Sequence, residues 1–148
     1  VASVAGKMDN RVIAAYQQLG FKLVVDPSVN YSGYFDARSR SITMKQIDDS
    51  VYHELGHFLA FIAGNVDKTA NLQSIFAAEK ANVTAFNKAY VTQNASEYFA
   101  ESVKDYILNN ASLKSTRPQT YAAVQNALNQ ITDAQIAKIQ KIYGAFWN

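Results

Sequence analysis

"DSVYHELGHFLAFIAG", residues 49–64, decides how the rest of the sequence is read. The chain has two histidines, and both lie here, four residues apart, with Glu54 beside the first. Val51, Leu55, Phe58, Leu59 and Ile62 recur at helical spacing, so the stretch reads as a largely buried helix from about 48 to 63. Asp48, Asp49 or Ser50 can cap its start, and Gly64 suits its end. Positions four apart share one helix face, so His53 and His57 can aim both imidazoles at one point. Glu54 is rotated off that face, where it can reach a water rather than join the ligands. This is the chemistry of H-E-x-x-H: two zinc ligands and a general base. An inert pair of buried histidines is the bland alternative. It would leave two imidazoles and a carboxylate without partners in an apolar setting. It would also leave Gly56 unexplained, since glycine costs a helix roughly 1 kcal/mol relative to alanine and asks for close packing in return.

A catalytic zinc needs a third protein ligand and one open position. The metzincin pattern would put Gly at 60 and His at 63, but both are Ala, which excludes that class. With no cysteine in the chain, the third ligand must be a carboxylate from further along. Glu79 and Glu97 are the candidates. Glu97, Glu101 and Asp105 stack at i, i+4 and i+8 on one helix face. Three like charges there repel unless a cationic centre faces them, which favours Glu97. Glu101 is then placed to accept the second N–H of a ligating histidine. The bland readings are an exposed charge beside Lys80 for Glu79 and a solvated helix face for Asp105.

Around this centre the sequence predicts an α+β fold with a small N-terminal mixed sheet and a mainly helical C-terminal half. "MDNRVIAAYQQL" (8–19) has helical periodicity and is stopped by Gly20. "FKLVVD" (21–26) and the two halves of "GYFDARSRSITMK" (33–45) read as strands, the latter pair around a turn at 37–40. Residues 64–69 read as a turn. Helices are expected over 70–81, 94–108 with Asn94 as cap, 117–128, and 132–147 with a Thr132–Gln135 capping box. No linker or repeat interrupts the 148 residues, so one domain is expected, with an N-terminal part to about 64 and a helical part beyond it.

Composition narrows the classes. At 49% hydrophobic and 18% charged the chain is globular, and a net charge of +2 with scattered Lys and Arg gives no nucleic-acid footprint. No apolar run reaches membrane-spanning length. The chain opens at Val1 rather than Met, which reads as a mature or trimmed form. Asn-x-Ser/Thr sites fall at Asn30, Asn82, Asn94 and Asn110. A glycan on the expected cap Asn94 would crowd the site, which points to a host that does not N-glycosylate.

"HELGH" (53–57), "AYVTQNASEYFAESVKDY" (89–106) and "RPQTYAAV" (117–124) together resemble the anthrax-lethal-factor-type zincin domain, the family that includes bacterial Pro-Pro endopeptidases. In that family a tyrosine precedes the ligand glutamate by seven residues and a second glutamate follows by four. Tyr90, Glu97 and Glu101 match both offsets. "GYFDARSRSITM" (33–44) is similar to the hairpin before the zinc helix there, and the resemblance extends over about residues 7–145. It implies one zinc held by His53, His57 and Glu97, with Glu54 as general base and acid. It implies that Tyr90 donates to the oxyanion of the tetrahedral intermediate. An edge strand near Tyr34–Phe35 or Ile42–Met44 would take an extended peptide by β-addition. The loop 64–71 would lie across the cleft. The expectation is a secreted bacterial, toxin-related zinc metalloendopeptidase, monomeric, acting on an extended protein segment, with proline-directed cleavage as one specificity. The alternative is a non-catalytic zinc-containing binding module on the same fold.

Overall fold

The computed structural model describes residues 3–147, with an α+β fold in which a three-stranded mixed sheet precedes a mostly helical remainder. Helix α1 (Asn10–Gln18) starts at Asp9, whose carboxylate accepts the Arg11 backbone N–H at 2.8 Å. Its buried face carries Val12, Ile13 and Tyr16. The chain then turns through Gly20, whose φ of +79° is open to glycine at little cost. Strands β1 (Lys22–Val25), β2 (Gly33–Asp36) and β3 (Ser41–Met44) assemble in the order β1-β3-β2. β1 runs parallel to β3, and β2 antiparallel to it. β3 is therefore central, and Ile42 and Met44 are completely buried. This corrects one expectation: the strand of Ile42 and Met44 has neighbours on both sides and offers no free edge to a peptide. β2, with Tyr34 and Phe35, is an edge.

Helix α2 (Ser50–Ile62) carries HELGH. Asp48 serves its first turn by accepting the Ser50 N–H at 3.0 Å, while Asp49 makes no side-chain cap. The helix is buried nearly all round, as expected of one enclosed by other elements. Its end passes through Gly64 and Asn65, both with positive φ, into a short 3-10 turn at Val66–Lys68. Helices α3 (Ala70–Glu79), α4 (Lys88–Val91), α5 (Ala95–Leu108), α6 (Asn110–Thr116), α7 (Pro118–Asn129) and α8 (Asp133–Trp147) follow. Asn94 caps α5 as expected, accepting the Glu97 N–H at 2.8 Å. The Thr132–Gln135 box forms only halfway. Thr132 accepts the Gln135 N–H, but the Gln135 amide reaches Ile62 O at 2.9 Å instead of turning back. α8 closes the molecule onto the sheet, with the Trp147 indole donating to Ala37 O and its ring packed on Phe21. No helix among the described residues is long and apolar enough to cross a membrane.

The packing that matters most is α2 on α5, the most extensive helix pair of the fold. A Cβ at Gly56 would lie 2.6 Å from Ala100 O and 2.8 Å from Ala100 Cα. Backbone rather than a flexible side chain occupies that space, so glycine is the residue that lets the helices approach. The Gly56→Ala chain is expected to lose about 1–3 kcal/mol of stability through overpacking, in spite of alanine's better helix propensity. Thermal melting of the two proteins checks this; an unchanged or raised melting temperature would contradict the close approach.

Candidate active site

α2 and α5 cross at Gly56 and Ala100, which brings His53 and His57, three residues before and one after Gly56, face to face with Glu97 and Glu101, three before and one after Ala100. His57 Nε2 donates to Glu97 Oε1 at 2.8 Å, and His53 Nδ1 donates to Glu101 Oε1 at 2.8 Å. The second Glu97 oxygen, Oε2, lies 3.4 Å from His53 Nε2 without hydrogen-bond geometry. That oxygen is buried and has no hydrogen-bond partner among the described residues. His53, His57 and Glu97 each offer a ligand atom, all within 4.8 Å of one another. Two imidazole nitrogens and a carboxylate oxygen form a donor set suited to zinc with an open fourth position, and the orphaned Glu97 oxygen is an atom such an ion would satisfy.

The electrostatics agree with this geometry. Burial alone would lower the His53 pKa, but its contacts with Glu101 and Glu97 raise it to about 9. Burial likewise works against the Glu97 carboxylate, yet His53 and His57 hold its pKa far below the usual carboxylate range. Glu101 is also lowered against its burial, chiefly by His53 and then by Lys104, whose Nζ is 3.9 Å away. Glu54 is buried about 100° around α2 from His53, and burial raises its pKa despite the histidines nearby. That shift moves it toward the range in which a carboxylate works as a general base. Gly33, at the start of β2, makes room for it: a Cβ there would stand 2.8 Å from Glu54 Cγ. Sequence reasoning missed this role of Gly33, which only the packed structure reveals.

Tyr90 sits on α4, its ring 6.4 Å from that of His53, with its phenol pKa raised to about 12 by burial and by the charge of Glu97. Among the described residues, His53, Glu54 and Tyr90 line one cavity of about 430 Å³ with Tyr31, Gly33 and Lys104. Phe35 lies alongside, its ring stacked over His57 at 6.5 Å, while Tyr34 is exposed on β2. Ile42 and Met44 lie in the core, outside this cavity's lining. The loop 64–71 is absent from the lining too. It is held at the start of α5 by Asp67, which accepts the Ser96 hydroxyl at 2.7 Å, and its residues line a separate apolar cavity with Phe99 and Ala127.

Two acids differ from their bland readings. Glu79 is buried and accepts from the Gln119 N–H, the Thr120 N–H and the Thr120 hydroxyl, so it caps α7 from a distance and stands apart from the histidines. Asp105 is paired with Arg117 at 2.5 Å, and Arg117 is itself buried and bonded to Ser102. Lys104 went unremarked in the sequence, although its i+3 spacing from Glu101 puts it on the same face.

The sequence matches the family described as "Anthrax toxin lethal factor, N- and C-terminal domain" over residues 14–127, and the chain belongs to that family. The chain is 40% identical over 78 residues to the Pro-Pro endopeptidase of Clostridioides difficile (strain 630). The matched stretch is 50% of this chain and 34% of that relative.

A raised imidazole pKa has a defined sign. The proton on His53 stabilises the metal-free fold fully below about pH 6.5, and that stability is lost as pH rises through about 9. NMR titration of the metal-free protein is expected to place the His53 midpoint near 9, with Glu101→Gln lowering it. A midpoint at or below 6.5 would contradict the pairing.

Proposed function

We propose that this chain is a single zincin-like catalytic domain of a secreted bacterial zinc metalloendopeptidase, toxin-related by family, that cuts an extended protein segment. The observation that carries the reading is the convergence of His53, His57 and Glu97 around an unpartnered buried carboxylate oxygen, with Glu54 beside them and an edge strand alongside. When bound, zinc supplies a Lewis acid that polarises the scissile carbonyl and lowers the pKa of water. Glu54 takes a proton from the attacking water onto its carboxylate and returns it to the leaving amine as the C–N bond breaks. The Tyr90 hydroxyl donates to the carbonyl oxygen as negative charge develops there. Glu101 holds the His53 Nδ1–H, which fixes the tautomer and leaves Nε2 free to ligate.

The free edge of β2 takes the peptide backbone by strand addition, with Tyr34 and Phe35 as the residues that meet it. Proline-directed cleavage is supported by the name of the relative and by exposed aromatic rings, Tyr31 and Tyr90 in the cleft lining and Tyr34 packed beside Tyr31, against which proline rings can pack. A bacterial host is supported by Asn94. Its side chain is engaged as the α5 cap, three residues before Glu97, where a glycan would collide with the site. The chain acts as a monomer in this reading, with neither nucleic acid nor membrane as partner. A non-catalytic binding module would have no use for Glu54, which is kept buried beside the ligand set with its pKa raised.

Metal analysis of purified protein is expected to give about one zinc per chain. Glu54→Ala should keep the zinc and abolish peptide cleavage. Glu97→Ala should lose zinc affinity, and Glu79→Ala should keep it while lowering the melting temperature through loss of the α7 cap. Zinc retention by Glu97→Ala, or cleavage by Glu54→Ala, would refute the assignment.

Tyr90→Phe removes the hydroxyl of an exposed residue without disturbing the core. It is expected to keep zinc and to lower kcat by roughly 10²–10³, the usual effect of losing an oxyanion donor. Steady-state kinetics decide this, and undiminished turnover would remove Tyr90 from the mechanism.

A further inference from the structure

A second and larger cavity, of about 860 Å³, adjoins the one that holds His53 and Glu54. The two share a wall that includes Ser32, Phe86, Glu101 and Lys104. Beyond it the larger cavity is lined by hydrogen-bonding side chains, among them Asn82, Asn109, Ser112 and Thr116. Such a lining suits a hydrated polypeptide backbone better than a buried apolar ligand.

Two residues of the shared wall stand out. Phe86 is fully exposed, its ring covered by none of the described residues. A large bare aromatic at the lip of a cleft is informative where a scattered surface leucine is not. Lys104 is the cation of the wall. Its nearest acid is Glu101 at 3.9 Å, which leaves ammonium donors for acceptors arriving from the cleft. The wall lies at the Gly33 end of β2, since Ser32 belongs to both cavities. A peptide added antiparallel to β2, the more stable pairing, would pass its C-terminal half toward that end.

The geometry points to Phe86 and Lys104 as specificity-determining residues: the peptide leaves the catalytic cleft over this wall into the larger cavity, and the two side chains select residues on the C-terminal side of the scissile bond. Phe86 packs on an apolar side chain of that segment, and Lys104 donates to an oxygen-bearing side chain beside it. This inference rests on the endopeptidase reading and deepens it.

The test uses a randomised dodecapeptide library, with cleavage products sequenced by mass spectrometry for the zinc-loaded wild type, Phe86→Ala and Lys104→Met. Selection is expected at positions just C-terminal to the cut, relaxing by about tenfold in each variant while selection on the N-terminal side persists. Unaltered C-terminal selection, or relaxation confined to the N-terminal side, overturns the proposal. If the wild type cuts nothing, the endopeptidase reading fails, and the groove is still read by binding. The same library is captured on Glu54→Ala protein, with and without Phe86→Ala or Lys104→Met. Retention lost with those second substitutions supports the path, and equal retention overturns it. Phe86→Ala should match the wild type in melting temperature, because its ring makes no core contact.

Discussion

The contact between Gly56 and the backbone of Ala100 is the constraint on which the site depends. His53 and His57 lie three residues before and one after Gly56, and Glu97 and Glu101 lie three before and one after Ala100. The pairs that form are His57 with Glu97 and His53 with Glu101. The two helices therefore meet in an antiparallel, nearly symmetric crossing, and the missing side chain at its centre sets the distance between imidazoles and carboxylates. A side chain at position 56 would separate the helix axes where the flanking donor atoms must converge. The cost of a glycine in a buried helix is offset by this placement of four polar groups.

The same crossing decides how α5 carries its acids. Glu97 faces both histidines, Glu101 lies between His53 and Lys104, and Asp105 meets Arg117. Each carboxylate faces at least one basic side chain, His53 being shared by Glu97 and Glu101, so the repulsion expected of such a row on a free helix is relieved. In the metal-free chain this makes the centre a proton trap, because the carboxylates that would help hold zinc also hold a proton on His53. A divalent ion held there would have to displace that proton, so its affinity would rise with pH over the range in which the imidazole gives it up.

Much of this was legible in the sequence because it is local. The α2 and α5 periodicities, the Asn94 cap and the i, i+4 spacings are set within a few residues, and the structure places all of them as read. The fold class followed from the order of these elements. What was misread depends on partners distant in sequence. The strand of Ile42 and Met44 carries no mark saying whether it lies at the centre or the edge of a sheet, since that depends on where β1 pairs. Glu79 has the composition of a surface charge until the N-terminus of α7 is packed over it. Asp105 reads as solvated until Arg117 returns twelve residues later. The short helices α4 and α6 escaped notice because stretches such as "NNASLKST" (109–116) have weak helical propensity and little amphipathic pattern; tertiary packing holds them.

Helical geometry also separates the functions of α2. Successive residues turn by about 100°, so the two histidines face α5 while Glu54 faces the sheet. There it meets Gly33, the first residue of the edge strand, which has no side chain to displace it. The carboxylate proposed as base thus lies between the proposed metal donors and the strand proposed to receive the peptide. A peptide paired along β2 would present its carbonyls beside both. Two glycines, Gly56 toward the helix and Gly33 toward the sheet, allow α2 to be approached this closely from opposite sides. A reactive centre between them needs no long loop to position it, because each participant is fixed by regular secondary structure.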